Sequence, residues 1–303
     1  MPTISIVVPT LNEEEYLPQL LDSVRDQTFQ DFEIIVADAG SKDGTARVAE
    51  SYGAKVVPGG MPGPGRNRGA EVATGDFLFF FDADVVLPRT FLKDALDEMN
   101  ERFLDMATCE FTPQSNYQLD KILFKLANLT VKVNQTLNPR AAGFCIFITR
   151  RLFERVGGFD ESVKIAEDHD LVERASHFRP LRFLNSVYLT VSIRRLEKEG
   201  RFSLIEKYMQ VEMHLLTKGS IREEIVEYEF GNFTDSEKPS KKILDELENG
   251  IINLEKQYKQ LSKRFLESEF NEKLVENQEI WKEGISNLSD TLRKLLSIGK
   301  KTS

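Results

Sequence analysis

Short apolar runs alternate with two-faced segments along the first hundred residues. ISIVVPT, 4–10, is β-branched and apolar, the pattern of a buried strand, and Pro9 stops it. A helix is expected from about Glu13, capped by Asn12 or Thr10, with Tyr16, Leu17, Leu20, Leu21 and Val24 on its apolar face. FEIIVAD, 32–38, is a second strand, and Asp43-Gly44-Thr45 opens a helix that closes at Gly53. AKVVP, 54–58, is a third strand. The Gly/Pro-rich GGMPGPG reads as a loop leading into a helix from about 66 to 73, and DFLFFFD, 76–82, is the fourth strand. Strands separated by single helices predict parallel pairing in a doubly wound α/β sheet. The pattern is then mixed: a helix at 90–102, a strand at 105–111, a helix at 117–134, a strand at 143–149, a helix after Asp168 and a strand at 181–191.

Two later segments differ. Residues 202–216, FSLIEKYMQVEMHLL, predict a helix with two adjacent apolar stripes, wide enough to pack on a domain or to lie in a membrane interface. From Lys238 onward the chain is rich in helix formers with heptad-like apolar seams: Ile243, Leu247, Leu254, Tyr258 and Leu261, then Leu274, Ile285, Leu288 and Leu292. The expectation is a helical hairpin or coiled-coil-like extension, broken near LESEFNEK. Its seams need a partner: each other, the preceding domain or a second chain.

The net charge is −9, which argues against nonspecific nucleic-acid binding. Basic residues slightly outnumber acidic ones beyond Glu237, so the negative charge lies in the front part. Two cysteines, Cys109 and Cys145, form neither a disulfide framework nor a metal-ligand spacing and read as small buried hydrophobes in a reducing setting. No signal peptide is evident and no run of about 18 apolar residues predicts a membrane span. A cytoplasmic location is expected, with peripheral contact at the inner face of the membrane as a variant.

In doubly wound sheets ligands bind beyond the carboxyl ends of the strands. Pro9-Thr10, Asp38 and Asp82 to Asp84 all fall at such ends. Alone, Asp82-Ala83-Asp84 reads as a strand that has reached solvent. After an apolar strand, with a glycine-rich loop before it, it reads as a ligand pair for a hard cation such as Mg2+ or Mn2+. Glu167-Asp168-His169-Asp170, taken alone, is an acidic helix start favoured by the helix dipole.

Three blocks together carry a resemblance. The first is Pro9, Asn12 and Glu13, followed by Asp38, Gly40, Ser41, Asp43, Gly44 and Thr45. The second is GPGRNRGAEVATGDFLFFFDAD, with Gly65, Arg66, Asn67, Gly75, Asp76, Asp82 and Asp84. The third is Gly143, Arg150, Arg151, VGGFDE at 156–161, then Glu167, Asp168, Asp170 and Leu171. Over about residues 3–195 the chain resembles family 2 glycosyltransferases, which have the GT-A fold. Where many relatives carry two adjacent aspartates, this chain has Asp38-Ala39.

The resemblance implies an α/β fold with a GT-A type doubly wound mixed sheet flanked by helices, here with a C-terminal all-helical extension. It implies a catalytic domain over 1–200, with a nucleotide-binding half at 1–100 and an acceptor half at 101–200. An amphipathic helix and closing segment at 201–237 and the extension at 238–303 follow. By the same resemblance the nucleotide contacts are Pro9, Thr10, Asn12, Glu13, Asp38, Gly65, Arg66, Asn67, Asp82 and Ala83. Asp82 and Asp84 hold Mg2+ or Mn2+, Asp168 is the general base with Glu167 beside it, Arg194 or Arg195 clamps the diphosphate, and His169 is a further metal candidate. The implied reaction is inverting transfer of a sugar from a UDP- or GDP-type donor to a sugar or lipid-linked acceptor. A polyprenyl (dolichyl) phosphate acceptor at the membrane surface is one alternative. Another is a non-catalytic scaffold acting through the C-terminal helices, which would also serve homo-oligomerisation.

Overall fold

A computed structural model of the chain describes residues 2–60, 62–135, 139–201, 204, 207, 244, 245, 248–253 and 256. The chain divides into two compact units. The first comprises Met1–Gln114, Asn134–Ser192 and Lys218–Ile225, the second Ser115–Val133, Ile193–Thr217 and Val226–Ser303.

In the first unit the strands are β1 (Ile4–Thr10), β2 (Phe32–Asp38), β3 (Lys55–Pro58), β4 (Phe77–Phe80), β5 (Val85–Val86), β6 (Met106–Pro113), β7 (Ile146–Thr149) and β8 (Arg182–Val191). They form one sheet in the order β3-β2-β1-β4-β7-β6-β8-β5. β1, β2, β3 and β4 pair in parallel, whereas β7 runs antiparallel to both β4 and β6. The sheet is therefore doubly wound on one side and mixed on the other. The strand order reverses between β1 and β4, and such a switch point opens a crevice at the carboxyl ends.

β4 shows why its sequence is apolar at every position. Phe79 packs on Phe147 of β7 at 4.6 Å on one face, while Phe80 meets Phe153 and Phe159 at 5.5 and 5.3 Å on the other. A strand covered on both faces needs no polar alternation.

The first unit also holds helices α1 (Leu17–Arg25), α2 (Thr45–Ser51), α3 (Pro62–Val72), α4 (Phe91–Glu101), α6 (Arg150–Val156) and α7 (Glu167–Ser176). Three of these depart from the expectations. α1 starts at Leu17, not near Glu13, and neither Asn12 nor Thr10 caps it. A helix from Glu13 would put Pro18 where its missing N–H was needed; starting at Leu17 leaves Pro18 in the first turn, where no N–H is required. α3 begins at Pro62, inside the segment read as a loop, because Pro62 and Pro64 likewise fall in a first turn. Between the expected strand at 143–149 and the helix after Asp168, Arg150–Val156 forms an unexpected helix, α6: Thr149 Oγ1 accepts from Leu152 N at its start, and Gly157 ends it in the left-handed conformation. β7 starts at Ile146, three residues later than expected, because 142–145 is a turn closed by Cys145 N donating to Ala142 O.

The second unit holds α5 (Gln118–Asn134) and α8 (Arg194–Glu199). On α5, Asp120 is fully buried and accepts from Arg201 Nε and Nη2 at 2.6 and 3.0 Å and from Ser115 Oγ. Glu248 accepts from Lys125 Nζ and Gln118 Nε2, which ties the described part of the C-terminal segment to α5. Most of the expected 202–216 helix and of the 238–303 hairpin lies outside the described residues. Among the described residues no helix is long and apolar enough to cross a membrane.

Candidate active site

The first wall joins the ends of β1 and β2. Asp38 Oδ1 accepts from Thr10 Oγ1 at 3.1 Å and Ser41 Oγ at 2.5 Å, while Oδ2 accepts from Gly40 N and Ser41 N at 3.1 and 2.9 Å. Gly40 at φ +84° permits that tight return. Asn12, also left-handed at φ +55°, donates its N–H to Ser41 Oγ and accepts from Lys42 N. Glu13 N donates to Thr45 Oγ1, Glu14 N to Asp43 Oδ2, and Gly44 N returns a bond to Glu14 Oε2 at 2.7 Å. The residues following β1 and those following β2 thus bind one another.

The second wall is organised by Arg66 on α3, which is 2% exposed. Its Nη2 donates to Asp82 Oδ1 and its Nη1 to Glu167 Oε1, both at 2.8 Å, and its guanidinium lies 5.5 Å from the Phe159 ring centroid. Burial opposes the guanidinium charge, yet Asp82, Glu167 and Asp168 together outweigh it and raise its pKa. Nε is buried without a partner. Gly143 makes room: a Cβ there would lie 2.5 Å from Arg66 Nη2.

Gly143 N also donates to Asp168 Oδ2 at 2.7 Å, and His169 N donates to Asp168 Oδ1 at 2.9 Å. One carboxylate is thereby held by both oxygens at the start of α7. Glu167, beside it, has its pKa raised, first by burial and then by repulsion from Asp168, against the pull of Arg66. The preceding Ala166 takes the left-handed conformation (φ 62°), a strain of about 1–2 kcal/mol in a non-glycine residue.

Arg66, Asp82, Glu167 and Asp168, drawn from three separate segments, are brought together. Ala83 is buried between half-buried Asp82 and Asp84, and Asp84 O accepts from Ser192 N. Gly65 packs under Pro9: an added Cβ would sit 3.2 Å from Pro9 Cβ. Asn67 is committed to the loop before α7, accepting from Phe159 N and donating to Phe159 O and Glu161 Oε1. His169 Nδ1 is buried and has no partner. Arg194 and Arg195 open α8 in the second unit, where Arg195 Nε donates to Glu199. Sequence reasoning missed the role of Gly143. Its only signal is a side-chain-free residue beside the buried arginine, and that proximity is tertiary.

Among the described residues no group of three or more His, Cys, Asp or Glu forms a cage for a metal. Asp82 and Asp84 nevertheless suit Mg2+ or Mn2+, which are commonly held by one or two carboxylates, with phosphate oxygens and waters completing the shell. Arg66 takes Oδ1 of Asp82, and the Asp82 side chain remains 38% exposed.

Residues 5–157 match the family described as Glycosyl transferase family 2. Poly(ribitol-phosphate) beta-N-acetylglucosaminyltransferase TarS of Staphylococcus aureus is 30% identical over 183 residues, 55% of this chain and 31% of TarS. The uncharacterized glycosyltransferase EpsJ of Bacillus subtilis is 28% identical over 188 residues, 55% of this chain and 54% of EpsJ. The chain thus spans about a third to a half of the length of these relatives. Among solved structures, S. aureus TarS 1-349 in complex with UDP-GlcNAc superposes with a TM-score of 0.52 at 26% identity, covering 63% of this chain and 58% of that one. The mannosyltransferase PcManGT of Pyrobaculum calidifontis, in complex with GDP-Man and Mn2+, shares the fold at a TM-score of 0.53 and 19% identity, covering 70% and 64%.

Proposed function

The chain belongs to glycosyl transferase family 2, and from that premise we propose that it transfers a sugar from a nucleoside-diphosphate donor to an acceptor hydroxyl with inversion. The observation that carries this reading is the Arg66 cluster. It ties the carboxylate at the end of β4 to the pair of acids that opens α7, and so joins a leaving-group side to a nucleophile side. Residues 1–200 supply the chemistry.

Asp168 is the general base. Its two oxygens are oriented by the Gly143 and His169 amides, and it takes the proton of the acceptor hydroxyl as that oxygen bonds to the anomeric carbon. The bond from that carbon to the phosphate oxygen breaks, and its electron pair leaves with the nucleoside diphosphate. A single displacement inverts the centre. Asp82 and Asp84 would hold Mg2+ or Mn2+, which would supply Lewis-acid neutralisation of the leaving diphosphate. The Thr10–Asp38 wall faces the nucleoside. UDP-GlcNAc is the first donor to test because a relative at 26% identity is solved with it; GDP-mannose is the second.

Titrating UDP, UDP-GlcNAc and GDP-mannose with Mn2+ while following the melting temperature tests the reading. At least one pair is expected to raise it, and no rise with any pair sinks the proposal. Asp168→Asn is expected to lower turnover by about a hundredfold or more while nucleotide binding persists. Loss of binding instead would move Asp168 from the base to the donor site.

A further inference from the structure

Away from the carboxylates, two thiols meet inside the sheet. β6 and β7 pair antiparallel, Met106 opposite Ile148 and Ala107 opposite Phe147. The same register carried two residues further sets Cys109 against Cys145. Their sulfurs lie 3.3 Å apart, and both residues are fully buried. Cys145 Sγ accepts from Cys109 N at 3.3 Å and from Thr108 Oγ1 at 3.4 Å. These are bonds that favour a thiolate at Cys145. Burial works against it, but the bonds from Cys109 and Thr108 prevail and hold the Cys145 thiol below its ordinary value, whereas burial and its neighbour push Cys109 well up. The geometry is asymmetric too: Cys145 Sγ accepts from Thr108 and from Cys109 N, whereas Cys109 Sγ donates to Glu110 O at 3.3 Å, which makes Cys145 the attacking sulfur and Cys109 the resolving one.

We propose that Cys109 and Cys145 form a reversible intramolecular disulfide that acts on the 142–145 turn holding Asp168 and Arg66. A disulfide bond is about 2.05 Å long, so the sulfurs must approach by roughly 1 Å. Cys145 closes that turn through its N–H to Ala142 O, and Gly143 within it both donates to Asp168 and lies against Arg66. Drawing Cys145 towards β6 therefore pulls on the residue that orients the proposed base.

The oxidant is a peroxide. The Cys145 thiolate attacks the O–O bond of hydrogen peroxide, giving a sulfenic acid and, with one proton, water. The Cys109 sulfur then displaces the sulfenic hydroxyl as a second water, and the S–S bond forms. Two thiol hydrogens and two electrons pass to one peroxide, and a dithiol reductant reverses the step. Because both sulfurs are buried, reaction waits on a local loosening around them that admits peroxide.

The full-length chain is treated with hydrogen peroxide, alkylated in denaturant, mapped by peptide mass without reduction, and followed by hydrogen exchange over 140–147. The expected result is a peptide linking Cys109 to Cys145, exchange at the 142–145 turn faster by about tenfold, and reversal of both by dithiothreitol. No link, or links only between chains, overturns the proposal; a link with unchanged exchange at the turn overturns its coupling to Asp168. Cys109→Ser should form no link and keep its exchange rate under peroxide. An accompanying fall in sugar transfer rests on the transferase reading, whereas the link and the exchange do not, so failure of one is distinguishable from failure of the other.

Discussion

The two ends of the central sheet each carry an arginine–carboxylate cluster, built in opposite proportions. At the carboxyl end of β4 one buried arginine, Arg66, serves Asp82 and Glu167, with Asp168 alongside. At the amino end one largely buried carboxylate, Asp105, accepts from Arg151 and Arg179 at 2.8 Å each and from Thr149 Oγ1 at 3.1 Å. Burial raises the pKa of Asp105, but its bonds to Arg151, Thr149 and Arg179 win, and the carboxyl is held below its usual range. Glu167, buried and repelled by Asp168 with Arg66 pulling the other way, is held above its own. The same residue types thus give a satisfied acid where the sheet is only being fastened, and surplus negative charge where a cation and a diphosphate are proposed to bind.

Removing the single cation should break this contrast most severely. Arg66→Met leaves Asp82 and Glu167 facing each other without compensation. Urea unfolding should show a loss of about 3–5 kcal/mol, the usual cost of orphaning buried charge. A loss under about 1 kcal/mol would mean that water already neutralises the cluster.

Asp105→Asn should cost less, about 1–3 kcal/mol, because Arg151 and Arg179 are well exposed and can turn to solvent. Its pH signature follows from the lowered pKa. The Asp105 contribution is fully present above the ordinary value of 3.8 and is lost as pH falls through the folded value. The variant should therefore lose less stability on acidification than the parent.

Glu167→Gln should have the smallest effect at neutral pH, about 1 kcal/mol or less, and the opposite pH signature. A carboxyl with a raised folded pKa binds its proton more tightly in the native state, so stability declines as pH rises from about the ordinary 4.5 through the folded value. Glutamine abolishes that decline. Equal slopes in the parent and in both variants would erase the distinction between the two ends.

The alternation of strands and helices was legible because the sheet buries both faces of β1 and β4, which makes their sequences continuous apolar runs. Helix starts were less legible. Pro18, Pro62 and Pro64 punctuate local sequence in the same way whether they end a loop or fill a first helical turn, and only the structure distinguishes the two. At the site, position at strand ends singled out Asp38 and Asp82 to Asp84, but only the three blocks together suggested a role for them. The arginine that gathers them could be named but not aimed, since its partners lie 16 and 101 residues away in sequence. Gly143 was named in the third block but not its contact with Arg66, the left-handed Ala166 carries no local signal, and the sulfur pair emerges only from the tertiary meeting of residues 36 apart in sequence.

The interlocking of residues 10–14 with residues 38–45 has a practical consequence for anyone building chimeras within this family. Asn12, Glu13 and Glu14 bond to Ser41, Lys42, Asp43, Gly44 and Thr45. The two stretches form one cassette with a private hydrogen-bond code, although more than twenty residues separate them in the chain. A graft that exchanges one stretch alone imports half of that code. A transplant has to move both together.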